Sequence, residues 1–387
     1  MKVILSVQSI KYPLTGIGRY TYELARNLPE VAGIEALKFH NDGGFVETIP
    51  QSFEGTDRPD PRASRIQEIK RFIARSKLIV DAYRFLRSKT DRDVFKGYGD
   101  HLYHGPNFYL PKFPGRTVVT VHDLSVLTMP QFHPRERVLY LGKEIESAAR
   151  RATRIVTDSH YTRAEVLSYF GFPEEKVGVA QLACGSEFRP RSAEELAPVL
   201  QTYGLSPGGY ALYTGTIEPR KNLVALIDAY GRLPAELRRR YPLVLAGYKG
   251  WNNEAIMERI ARAQGEGWLT YLGYVPNDHL PYLFSGARLF AFPSLYEGFG
   301  LPVLEAMASR VPVIASDQAS LPEVGGEAAA YVAPGDAEGL TALYERCLTD
   351  EETRRDMIEK GVAQAGKFSW RRCAEETVAL YRAASGA

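Results

Sequence analysis

Glu297-Gly298-Phe299-Gly300-Leu301-Pro302-Val303-Leu304-Glu305 follows the apolar run Leu289-Phe290-Ala291-Phe292, and these two stretches decide the fold. The apolar run has the length and composition of a buried strand. Pro302 falls where a helix begins, since its fixed φ and missing N–H suit the first helical position. Apolar residues then continue through Leu304 and Met307. Strand, glycine loop and helix in succession make this an α/β unit. The loop's backbone N–H groups and the start of the helix together form a site for a phosphate or another anion. A carboxylate in that place would repel a phosphate, so Glu297 and Glu305, separated by seven residues, need another role. An ionised carboxylate only accepts hydrogen bonds and sugar hydroxyls donate them. One segment thus points to both a diphosphate and a polyol, the two parts of a nucleotide sugar.

The same alternation runs outward through the chain. Runs at 3–7, 117–121, 154–158 and 177–182 read as buried parallel strands, with helical patterns at 19–28, 135–150 and 161–170. In the second half, strands are expected at 210–214, 243–246, 269–272, 289–292 and 311–315, with helices around 222–232, 254–264, 278–285 and 338–349. Alternating strands and helices imply parallel sheets covered by helices. Pro190, Pro198, Pro207, Gly208 and Gly209 mark a boundary. The expected organisation is a first domain over 1–188, a linker over 189–209 and a second domain over 210–369, both doubly wound. Ligands are expected at the carboxyl ends of the strands, in a cleft where the halves face each other.

Composition narrows the class. The 387 residues suffice for two or three domains, and 45% apolar with 24% charged residues is ordinary for a soluble globular protein. Cys184, Cys347 and Cys373 are far apart and odd in number, which fits a reducing compartment and gives no disulfide framework. The start Met1-Lys2-Val3-Ile4-Leu5 reads as a first strand, not a signal peptide, and no apolar run has membrane-spanning length. A cytoplasmic protein is expected. No cluster has metal-ligand spacing, and neither a Walker loop nor a nucleophile elbow is present. Asp91-Arg92-Asp93 has the look of an acidic metal motif, but no strand precedes it, and it reads as surface. Residues 58–97 stand apart: from Arg58 to Lys96 there are twelve Lys and Arg against five Asp and Glu, with Ile66, Ile69, Phe72, Ile73, Leu78 and Ile79 at helix-like spacing. Such a segment fits a cationic helix pair packed on the first domain, a face resting on anionic lipid, or both.

Four further places carry candidate chemistry. Thr15-Gly16-Ile17-Gly18-Arg19-Tyr20 opens a helix after the first strand; it is either a close-approach loop for an anion or only a tight turn. His122-Asp123 ends the run 117–121, where a doubly wound sheet presents active groups. His122 there either donates to a sugar hydroxyl, with Asp123 setting its orientation, or satisfies backbone groups of its loop. Thr214-Gly215-Thr216-Ile217-Glu218-Pro219-Arg220-Lys221-Asn222 puts two adjacent cations at a strand-to-helix junction, either for a diphosphate or as a solvated turn. In Leu272-Gly273-Tyr274-Val275-Pro276 the backbone can pair with a base edge.

Taken together, the Gly16/Gly18 loop, His122-Asp123, Thr157-Asp158-Ser159, Arg220-Lys221-Asn222 and Glu297 through Glu305, with Pro293-Ser294 before it, resemble the retaining GT-B glycosyltransferases of family 4, the glycosyl transferases group 1. The resemblance covers almost the whole chain and implies roles. Glu305 binds the ribose hydroxyls. Glu297, with Gly298 and the N–H groups of Phe299, Gly300 and Leu301, holds the donor sugar and phosphate. Arg220 and Lys221 neutralise the diphosphate, and His122 contacts the sugar. Gly16 and Gly18 give the diphosphate room, and Asp123, Gly215 and Val275 line the donor site. No metal or other cofactor is needed, and same-face attack retains the anomeric configuration. Phe368-Ser369-Trp370 resembles the start of the closing helix, which would bring residues 370–387 back onto the N-terminal domain.

Thr15–Tyr20, Tyr103-His104-Gly105-Pro106-Asn107 and Val121-His122-Asp123-Leu124 are most similar to bacterial O-antigen mannosyl- and rhamnosyltransferases. That implies a GDP-sugar donor, a lipid-linked glycan acceptor at the cytoplasmic leaflet, and a membrane-facing purpose for residues 58–97. The alternatives are a UDP-sugar donor, an epimerase or phosphorylase of the same fold, and a binding subunit without turnover.

Overall fold

Val3, Ile4 and Leu5 are wholly buried, as are Val118, Val119, Thr120 and Val121. A strand covered on both faces carries a continuous apolar run instead of an alternating one, and both of these runs are interior strands of one sheet. The structure, a computed structural model, describes residues 1–41, 43–50 and 93–386. Contacts divide the chain into two units, Met1–Leu182 with Trp370–Ala387, and Ala183–Ser369. The basic segment read over 58–97 lies outside the described residues except for 93–97, of which Phe95 is a buried core residue.

The first unit holds β1 (Lys2–Ser6), β2 (Ala36–Asn41), β3 (Gly44–Val46), β4 (Leu102–Gly105), β5 (Arg116–Val121), β6 (Arg154–Thr157) and β7 (Val177–Val179). They form a seven-stranded sheet in the order β3-β2-β1-β4-β5-β6-β7. All neighbours are parallel except β2 and β3, so the expectation of a purely parallel sheet is corrected at this edge. There a short return strand follows without room for a crossover helix. The second unit holds β8 (Ala211–Thr214), β9 (Leu243–Ala246), β10 (Leu269–Gly273), β11 (Leu289–Phe292), β12 (Val313–Ser316) and β13 (Ala329–Val332). These make a six-stranded parallel sheet in the order β10-β9-β8-β11-β12-β13. Both units are doubly wound, with strand order reversing between β1 and β4 and between β8 and β11.

Residues 189–209, expected to be a linker, belong to the second unit. They contain the helix Ala193–Gln201, whose Ser192 and Glu195 form a capping box at its start. Leu196 and Leu200 are buried, and Leu200 lies against Gly286 of the helix Leu280–Gly286. Pro198, one of the residues marking the expected boundary, sits inside this helix.

The helix Trp370–Ser385 packs in the first unit. Its buried residues Trp370, Cys373, Ala374, Thr377, Val378, Tyr381 and Ala384 recur every three or four positions, one apolar stripe. Tyr381 Oη lies 2.6 Å from His104 Nδ1, the backbone N–H of Gln181 donates to Glu376 at 3.1 Å, and Arg116 donates to the carbonyl of Ala384. Among the described residues no helix is long and apolar enough to cross a membrane.

Candidate active site

In the second unit the functional side chains come from the loops after β8 and β11. The chain leaves β8 through Gly215, where φ is +144° and a side chain would press on the Tyr213 hydroxyl. It then forms a single turn, Pro219–Lys221, closed by Asn222 in the left-handed region at φ 57°. Asparagine tolerates that conformation, and the turn presents Arg220 and Lys221 side by side. The backbone N–H of Leu295 donates to the carbonyl of Arg220 at 2.9 Å, which ties this turn to the loop carrying Glu297.

Both cations are engaged by carboxylates. Lys221 Nζ donates to Glu297 Oε1 at 2.5 Å, and Arg220 Nη1 donates to Glu297 Oε2 at 3.2 Å and to the carbonyl of Tyr296 at 2.6 Å. Arg220 also donates from Nε and Nη2 to Glu218 Oε1, at 3.2 and 2.8 Å. Glu218, Lys221 and Glu297 are buried. Burial pushes the Glu297 carboxyl up, but the charges of Lys221 and Arg220 and the hydrogen bond from Lys221 outweigh it, so its pKa lies below the usual value. Burial and the charge of Arg220 lower the pKa of Lys221 despite its carboxylate neighbours. The two cations and two carboxylates thus form one hydrogen-bonded quartet. Sequence reading singled out the cations and Glu297 but not Glu218, although it stands two residues before Arg220.

The Gly298–Leu301 loop follows Glu297 directly and leads into the next helix. Gly298, Phe299 and Gly300 are buried. Ser320 Oγ lies 2.8 Å from the carbonyls of both Glu297 and Phe299, holding the loop from below. Gly300 caps the helix Leu301–Ala308 at φ 104°, with Leu321 where a side chain would be. Glu305 follows in the second turn, half-buried. Val275, just past β10, is buried.

In the first unit, β5 and β6 run in register with Val121 opposite Thr157, so the next residue on each, His122 and Asp158, are neighbours. His122 Nδ1 lies 2.6 Å from Asp158 Oδ2, and Nε2 lies 2.9 Å from the carbonyl of Pro106. Asp158 thus holds the ring in the place the sequence assigned to Asp123. Asp123 instead accepts from the Ser125 N–H and hydroxyl at 2.9 and 2.7 Å, because a short polar side chain is well placed to bond the backbone two residues on. Burial lowers the pKa of His122, but the charge and hydrogen bond of Asp158 and the Pro106 carbonyl reverse this, and the net shift is upward. Its ring meets Tyr20 edge-on at 5.1 Å.

The Gly16–Gly18 turn resolves into two different positions. Thr15 caps the helix Gly16–Asn27, a Cβ on Gly18 would lie 2.9 Å from the carbonyl of Ser9, and Gly16 has open space around it. Gly18 is thus required by packing within its own unit. Beside this turn, where the strand order reverses between β1 and β4, lies a cavity of about 590 Å³. Gln8, Lys11, Tyr12, Asn107, Tyr140 and the buried Glu144 are among its lining residues. Aromatic faces beside a carboxylate and amides suit a hydroxyl-rich ligand.

Two successive doubly wound units, with a cation pair and a glycine-loop helix start at the carboxyl ends of the second sheet, define a GT-B glycosyltransferase. Two family models match the chain, Glycosyltransferase Family 4 over residues 14–181 and Glycosyl transferases group 1 over residues 206–364. The chain belongs to this glycosyltransferase family. It is 44% identical over 382 residues to the O-antigen chain mannosyltransferase B of Escherichia coli, spanning 99% of this chain and 100% of that protein. Among solved structures, its fold matches Anabaena HepE in complex with UDP-glucose at a TM-score of 0.70 with 17% identity, covering 98% of this chain and 99% of that one. It also matches WaaG, a glycosyltransferase involved in lipopolysaccharide biosynthesis, at 0.66 with 13% identity, covering 97% and 98%.

Proposed function

We propose that this glycosyltransferase moves mannose from GDP-mannose onto a lipid-linked glycan in O-antigen synthesis, with retention and without a metal ion. The observation that carries the reading is the Arg220–Lys221 pair locked on Glu297 beside the start of the helix Leu301–Ala308, in a chain aligned end to end with an O-antigen mannosyltransferase. As the bond from the sugar to the diphosphate breaks, negative charge collects on the leaving oxygen. Arg220, Lys221 and the loop amides meet that charge without having to reorganise, because Glu297 and Glu218 already fix the cations in place. Glu297 also accepts from a sugar hydroxyl, and Glu305 accepts from the ribose. His122 is assigned to the donor sugar, its ring orientation fixed by Asp158 and the carbonyl of Pro106 at its two nitrogens. The cavity beside Tyr140 and Glu144 receives the acceptor glycan.

The test is a transfer assay with radiolabelled GDP-mannose and a lipid-linked oligosaccharide, run with and without excess EDTA, with the product's anomeric configuration read by NMR. Transfer with retention in EDTA is expected. Transfer only from UDP-sugars, inversion, or a loss that added Mg²⁺ restores would each overturn the corresponding part of the proposal.

A further inference from the structure

Tyr248 stands out among the described residues because 41% of it is exposed while its ring is stacked on a second tyrosine. Tyr248 and Tyr274 follow β9 and β10, at the carboxyl ends of the second sheet, with ring centroids 4.8 Å apart and planes 20° apart. One face of Tyr248 is covered by Tyr274, and 41% of the residue remains exposed.

The backbone around this stack is held firmly. Tyr271 Oη donates to the carbonyl of Gly247 at 2.9 Å, and the N–H of Ile217 donates to the carbonyl of Tyr248 at 2.8 Å. Lys249 bridges to Ile217, three residues before Arg220. Gly247, at φ 150°, packs so closely on Gly215 that a Cβ would lie 1.9 Å from the Gly215 carbonyl. The loops after β8, β9 and β10 therefore lie side by side, and the loop that carries the two cations also anchors Tyr248. Next to the stack, Gly273 sits at φ 68° with nothing within 4 Å of where a side chain would be.

We propose that the outer face of Tyr248, supported by Tyr274, is the stacking platform for the nucleobase of the donor. The inference rests on the reading of Arg220 and Lys221 as the diphosphate site and adds the group that holds the other end of the same nucleotide. Every base has a π-face, so an aromatic platform serves any of them. Choice of base then falls to groups at its edge, such as the backbone past Gly273.

The experiment is calorimetric titration of GDP, UDP and inorganic pyrophosphate into the wild type, Tyr248→Ala, Tyr248→Phe and Arg220→Ala. Tyr248→Ala is expected to weaken GDP and UDP by roughly 5- to 150-fold, the range that base–aromatic stacks lose on truncation to alanine, and to leave pyrophosphate unchanged. Tyr248→Phe keeps the platform and nucleotide affinity. Arg220→Ala weakens all three ligands. Wild-type affinity of Tyr248→Ala for both nucleotides, or an equal loss for nucleotides and pyrophosphate, overturns the platform while leaving the diphosphate site standing. If the wild type binds none of the three ligands, the diphosphate reading falls and the platform with it.

Discussion

Replacing Lys221 by methionine removes one of the two cations that hold Glu297. Breaking a buried ion pair from one side costs about 3–5 kcal/mol, because the remaining charge stays buried. Arg220 still donates to Glu297 at 3.2 Å, so the lower end, about 3 kcal/mol, is expected. For a unit the size of Ala183–Ser369 that is a fall in Tm of roughly 6–12 °C. Activity falls further. If Lys221 meets the charge that develops on the leaving phosphate, its loss lowers kcat by roughly 100- to 1,000-fold, the cost of deleting one such donor. The double variant Lys221→Met/Glu297→Gln separates the two effects. Removing both charges leaves no uncompensated ion, so the melting temperature returns most of the way, whereas kcat stays low. The assays are thermal melting and initial rates at saturating concentrations of GDP-mannose, the proposed donor. A double variant that recovered stability and turnover together would refute the argument, since Lys221 would then serve the fold alone. Acid has a related effect. The folded-state pKa of Glu297 is depressed, so its contribution to stability is present above the ordinary carboxylate range and is lost as pH falls through the folded value.

Other consequences can be checked separately. Asp158→Asn should lower the His122 titration, followed by NMR, because the strongest upward influence on the ring is removed while burial still pushes it down. The stability His122 contributes is full below about pH 6.5 and is lost as pH rises through its elevated folded value, so Asp158→Asn should flatten the stability profile there. Burial and the nearby charge of His122 push His104 down to about 3, so the first unit should lose about 1.4 kcal/mol per pH unit as pH falls from 6.5 towards that value; His104→Gln should reduce this slope in urea melts at stepped pH. Charge reversal at Arg71, Arg75 and Lys77 should lower flotation with anionic vesicles if residues 58–97 rest on lipid; unchanged flotation would end that idea.

The strands legible in the sequence are those buried on both faces by Val, Ile and Leu. β4 escaped because Tyr103 and His104 interrupt its apolar character. In the fold, His104 is wholly buried, bonded to Thr120 Oγ1 at 2.8 Å and to Tyr381 from a helix 277 residues later, so its polarity is no sign of exposure. β2, half-covered and carrying Lys38, His40 and Asn41, gave no run either. The helix Ala193–Gln201 falls on the helix-like piece between the prolines, but the prolines gave no sign that this stretch packs into the second unit. For the site, spacing located Arg220, Lys221, Glu297 and His122, since each stands at a strand end or loop that the motif defines. It could not assign Asp158 or Glu218, because which carboxylate reaches which cation depends on sheet register and on the local turn. Asp123 was the neighbour in sequence; Asp158 is the neighbour across the ladder.

The helix Trp370–Ser385 has a consequence for how the protein is made. Its strands begin at Lys2, yet the first unit lacks a wall until residues 370–385 have been translated, whereas Ala183–Ser369 is one uninterrupted stretch. At ordinary elongation rates the ribosome needs on the order of ten to forty seconds to cover that stretch. During this interval the groove that will take Trp370, Val378 and Tyr381 stands open on the nascent chain. The lobe begun first is thus the lobe finished last, and a stop codon just before Trp370 would leave a complete second unit joined to an N-terminal half that cannot close.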